Sequence, residues 1–130
     1  MEIALLDVRE EGVFARDGHI LLASNVALSH LEMRVAALLP RKSVRIVVCD
    51  GGEGLAATAA ARLAALGYTH VRCLEGGAPA WAQSGYRLYS GVYVPSKAFG
   101  EYVLHQDQPP EVTASELHAW KTEGRDLVIL

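Results

Sequence analysis

The chain has 130 residues, 51% hydrophobic and 21% charged, with a net charge of −3 at neutral pH. That size and balance allow one globular domain with a modest core and exclude a disordered chain. The slight acidity argues against nucleic acid or an anionic membrane as partner, and no stretch approaches the roughly 18 apolar residues of a membrane span. Cys49 and Cys73 lie in apolar runs, and no basic-then-apolar leader opens the sequence. Both features suit reduced core thiols in a cytoplasmic protein. The histidines at 19, 30, 70, 105 and 118 lack ligand spacing, so neither a metal nor a cofactor is expected.

In chain order, residues 3–6 form a short apolar run that ends in Asp7-Val8-Arg9. A charged, helix-friendly piece leads to Phe14 and Gly18-His19-Ile20, and residues 20–23 read as a second strand. Ser29 and Glu32 spell a capping box, so a helix is expected over 30–39, with Leu31, Val35, Leu38 and Leu39 inward and Pro40 ending it. Arg41, Lys42 and Arg45 then read as a solvated turn favoured by the helix C-terminus.

Residues 44–49 are apolar and rich in β-branched side chains, which suits a buried strand. A glycine-rich turn follows, Asp50-Gly51-Gly52-Glu53-Gly54. Residues 55–66 are alanine-dense, with Leu55, Ala59, Leu63 and Leu66 on one helical face and Gly67 closing the helix. Strand, tight glycine loop and helix N-terminus together aim backbone N–H groups at an anion. A strand at 71–74, Gly76-Gly77 and a short helix at 79–83 holding Trp81 complete the alternation. Continuous apolar strands alternating with helices imply a parallel sheet covered on both faces.

Asp7-Val8-Arg9, Gly18-His19-Ile20 with Ala23 and Asn25, the loop at 50, Gly76-Gly77 with Trp81, and Ser84-Gly85-Tyr86 together resemble a rhodanese domain over residues 3–88. The resemblance implies an α/β fold around a central parallel sheet. In active members of that family, the first loop residue is a cysteine that takes sulfur from a donor such as thiosulfate and holds it as a persulfide.

Two registers of the loop are open. In one, Cys49 is the family nucleophile, in a loop one residue longer. In the other, Cys49 ends the strand and Asp50 takes the nucleophile position, which needs no gap to Gly67-Tyr68. Val47-Val48-Cys49-Asp50 also resembles the run found in inactive halves of two-domain rhodaneses. The second register is preferred, and it makes the loop chemically silent. A carboxylate cannot stand in for a nucleophilic, polarisable thiolate. Glu53, Gly54 and Leu55 replace the arginine or hydroxyl side chains of active loops, and Asp50 and Glu53 repel anionic donors. A phosphatase-like reading is weaker, because no arginine lies in the loop. The remaining landmarks read as structural: His19 as a turn residue, Asp7 and Arg9 as partners of neighbouring loops, Trp81 as a core anchor.

Beyond residue 88 the texture changes. Residues 89–110 read as a linker with a short helix over 98–104 burying Phe99, Tyr102 and Val103, ahead of a polar segment, 105–110. Thr113 and Glu116 form a second capping box, Leu117 and Trp120 give its helix an apolar face, and a strand is expected over 126–130. Residues 111–130 resemble the opening of another rhodanese module, so the chain reads as a piece of a tandem protein. The expected role is structural or partner-binding. The expected partners are other rhodanese modules of the parent protein, with a tail-swapped homodimer as a further expectation. The competing reading is an active sulfurtransferase on Cys49.

Overall fold

A computed structural model describes residues 2–91, 95–108 and 110–128. The chain divides into two compact units, Met1–Ala98 and Phe99–Leu130.

The first unit is built on four parallel strands, β1 (Ile3–Asp7), β2 (Ser24–Asn25), β3 (Arg45–Cys49) and β4 (His70–Cys73), in the order β2-β1-β3-β4. Around them lie α1 (Glu11–Asp17), α2 (Leu31–Leu38), α3 (Leu55–Ala65) and α4 (Gly77–Gln83). Side-chain alternation along the strands divides the core in two. Leu6, Ile46 and Val48 meet Leu31 and Val35 of α2 and Ala56, Ala59 and Leu63 of α3. Cys49, with Leu5 and Leu74, meets Phe14 of α1 and Ala78 and Trp81 of α4. Gly67, at φ 90°, lets the chain leave α3, and the Tyr68 hydroxyl then donates to the Leu39 carbonyl at 2.7 Å.

Several expectations need correction. The second strand lies at Ser24–Asn25, not over 20–23. Ile20 and Ala23 are buried because they belong to the second core, around a turn with Leu22 at φ 66°. The Ser29 hydroxyl pairs with the His30 ring at 2.8 Å, so the first capping box does not form and a 3-10 turn, Leu28–His30, leads into α2. Leu38 is exposed, as is Leu66, which lies past the last turn of α3. Cys73 is exposed too, because β4 is the edge strand. Of the basic cluster, Arg41 pairs with Glu2 and the Lys42 ammonium sits 3.9 Å over the Tyr68 ring.

The unit also runs past residue 88. Tyr89 is buried and exchanges two 2.8 Å backbone hydrogen bonds with His19. From there α5 (Pro95–Asp107) carries the chain into the second unit, so residues 105–107 are helical rather than linker. Phe99 and Tyr102 on it are exposed, contrary to expectation. In the second unit α6 (Ala114–Thr122) carries both arms of the Thr113–Glu116 capping box. Its Leu117 and Trp120 are half-buried, with the Arg125 guanidinium 5.3 Å over the indole. Residues 126–128 form no strand, and 129–130 lie outside the described residues. No helix among the described residues is long and apolar enough to cross a membrane.

Candidate functional site

β3 delivers the chain to residue 50 at the end of the sheet, where five residues turn it into α3. The N-cap residue of α3 is Gly54, at φ 92°, which has no side chain to cap with. Asp50 does that work from four residues upstream. Its Oδ1 accepts the Gly52 N–H at 2.8 Å, and its Oδ2 accepts the Gly54 and Ala56 N–H groups at 3.0 and 2.9 Å. The carboxylate is 3% exposed and fills the centre of the loop. Negative charge there also meets the positive end of the helix, worth roughly 0.3–1 kcal/mol.

Cys49 belongs to the core rather than the loop. Its side chain is fully buried with Phe14, Ile20 and Ala78, and its Sγ lies 3.5 Å from the Asp50 carbonyl. Burial pushes the thiol pKa up from 9.0 to about 12, and the Asp7 carboxylate adds to the rise. The raised value makes Cys49 a stabilising neutral group below about pH 9, with that contribution lost as pH climbs toward 12. At pH 8 iodoacetamide should therefore modify exposed Cys73, with Cys49 reacting at least about a thousand-fold more slowly than a thiol of ordinary acidity. Peptide mapping after timed labelling checks this, and comparable rates at the two positions would contradict the buried thiol.

The rest of the sequence-predicted loop is arranged around Asp50. Glu53 folds back over Gly51, whose Cβ, were there one, would stand 2.5 Å from Glu53 Oε2. Leu55 is half-buried against the first core. Gly52 and Gly54 both take positive φ.

Two contacts went unread in the sequence, the approach of Gly77 to the loop and the pairing of Asp7 with Arg9, which were read only as a turn and as partners of neighbouring loops. Gly77, at φ 60°, passes so close to the loop that a Cβ would stand 2.3 Å from the Asp50 carbonyl oxygen. That carbonyl accepts the Ala78 N–H at 2.8 Å, which fastens α4 to the loop. Asp7 and Arg9 bond first to each other, with Arg9 Nε at 2.9 Å from Oδ1 and Nη2 at 2.6 Å from Oδ2. Arg9 Nη2 also donates to the Gly18 carbonyl at 2.8 Å. The spacing of two at the end of a strand, which puts both side chains on one side, was the available signal. His19 is buried and stacked on Phe14 with ring centroids 3.9 Å apart. A cleft of about 480 Å³ opens beside the loop, between Glu53 and the residues of α1 and α4. Among the described residues no cluster of side chains has metal-ligand geometry.

A parallel sheet whose third strand ends in a glycine loop and helix N-terminus defines an α/β domain with an anion-nest loop at one end of its sheet. The rhodanese-like domain family matches residues 1–84, and the chain belongs to that family. No match to a curated protein sequence is found. Among solved structures, the chain is 47% identical to a thiosulfate sulfurtransferase from Pseudomonas aeruginosa, with a TM-score of 0.72 over 95% of this chain and 23% of that one. A rhodanese-like domain from Anabaena is 32% identical over 67% of this chain and 98% of that chain, with a TM-score of 0.62. A rhodanese-related protein from Thermoplasma volcanium is 26% identical, with a TM-score of 0.59, over 67% of this chain and 83% of that chain. The chain thus spans about a quarter of the length of its Pseudomonas relative.

Proposed function

We propose that this rhodanese-like module has no sulfurtransferase activity of its own and serves as a structural or partner-binding unit beside other modules of a longer protein. The supporting observation is the Asp50 carboxylate at the loop centre, bonded to the Gly52, Gly54 and Ala56 N–H groups. Those three donors are therefore not free for an incoming anionic sulfur donor. The buried Cys49 supports the same reading, since a nucleophile must present a thiolate to solvent.

The second reading, a persulfide on Cys49, draws support from the Pseudomonas relative, which is described as a thiosulfate sulfurtransferase. Because this chain spans 23% of that relative, the relative's activity can reside in parts with no counterpart here. Intact-mass analysis after thiosulfate treatment separates the two. The silent module keeps its mass. A gain of one sulfur atom, mapped to Cys49 and lost in Cys49→Ser, overturns the proposal.

A further inference from the structure

We infer that the cleft beside the loop binds a cationic group on an aliphatic stem, such as a lysine side chain presented by a partner protein. The inference rests on the silent-loop reading and names the ligand chemistry of that same site.

The first step is that three of the loop's N–H donors are already taken. The Gly52, Gly54 and Ala56 N–H groups all bond to Asp50. The one guanidinium lining the cleft, Arg9, is buried and held bidentately by Asp7, with the Gly18 carbonyl taking a further N–H. The charge balance of the surroundings is therefore negative. Asp7 offsets Arg9, Arg16 offsets Asp17 at 2.5 Å, and Glu53 remains among the lining side chains.

The second step concerns the walls. Val13 of α1, Ala78 and Pro79 of α4, and Leu88 line the cleft, while Glu53 and Asp17 stand at its polar side. Its volume of about 480 Å³ accommodates a four-carbon stem with room for the flanking backbone. Methylenes on the apolar wall and an ammonium at the Glu53 carboxylate is how lysine divides itself between surfaces. Glu53 is positioned by the chain itself, because the missing Cβ of Gly51 leaves space for its carboxylate to fold back toward the Arg9 stem. The charge at the mouth of the loop is thus opposite to what an anion-taking loop requires.

The test titrates Nα-acetyl-lysine N-methylamide into the isotopically labelled chain and follows backbone amide shifts. Saturable shifts are expected at Gly51, Glu53 and Ala78. The norleucine analogue, which has the stem without the ammonium, should bind roughly two- to five-fold more weakly, as an exposed charge contact implies. Glu53→Gln should abolish that difference while leaving the remaining spectrum in place. Absence of shifts at these amides, an equal response to both probes, or larger shifts with thiosulfate each overturn the inference. The silent-loop reading fails on a different result, a persulfide at Cys49, so the two failures are distinguishable.

Discussion

Asp50→Cys is expected to create a thiol at least about ten-fold more reactive at pH 7 than Cys49 or Cys73, because a thiol at a helix N-terminus ionises well below its usual range. The substitution puts sulfur among the three N–H groups that now hold the carboxylate. Those donors and the helix dipole favour the thiolate, while the 3% exposure of the position opposes it. Reactivity wins only if the glycine loop lets a probe in, and Gly52, Glu53 and Gly54 are all exposed. Timed labelling of the variant beside wild type measures the ratio. A rate no higher than that of Cys49 would show that the loop centre is closed to solvent chemistry.

Thiosulfate turnover by the same variant should stay poor. Glu53 still repels the donor, and Leu55 packs against the core where a bidentate anion contact is needed. Adding Leu55→Arg should raise sulfur transfer, with the arginine stem keeping the apolar contact and its head reaching solvent. If the double variant turns over no faster than Asp50→Cys, the missing donor is not what limits the loop.

The parts of the fold that were readable share a cause. β3 and α3 carry their own signals, a β-branched run and an alanine-rich face closed by Gly67, and both lie as expected. β2 was misplaced because its pairing runs through the polar Ser24 and Asn25. The apolar residues before it are buried by α1 and the turn instead. Hydrophobicity reports burial, and burial need not mean a ladder. The 29–32 box failed for a related reason: Ser29 found a closer partner in His30. The 113–116 box, with no competing side chain, formed.

At the site, the sequence could pose the choice between Cys49 and Asp50 but not the contacts around them. Period-two alternation puts Cys49 on the face of Leu5 and Leu74, yet whether α1 and α4 cover that face depends on residues far along the chain. Gly77 is the clearest case. Its role comes from the carbonyl of a residue 27 positions earlier, which would stand 2.3 Å from any Cβ there and which no local pattern contains.

The largest stability effect is expected for Arg9→Met, a loss of about 3–5 kcal/mol, because it strands the Asp7 carboxylate in the interior without its partner. Asp7 is 0% exposed and Arg9 3%, and their two contacts are direct. The damage should extend to the loop. The Val8 N–H donates to the Cys49 carbonyl at 3.0 Å, and Asn25 holds the Asp7 and Arg9 carbonyls at 3.2 and 2.8 Å. The strand end that carries the pair therefore also supports the start of the Asp50 turn. Replacing both partners, as in Asp7→Leu with Arg9→Met, removes the stranded charge, so the double variant should be more stable than Arg9→Met alone. It will not regain the wild-type value, since the Gly18 carbonyl loses its donor in both. Urea unfolding of wild type, the two single variants and the double variant closes the cycle. A single Arg9→Met variant within about 1 kcal/mol of wild type would mean that Asp7 finds another partner or water, and that the pair is not what anchors the loop to the sheet.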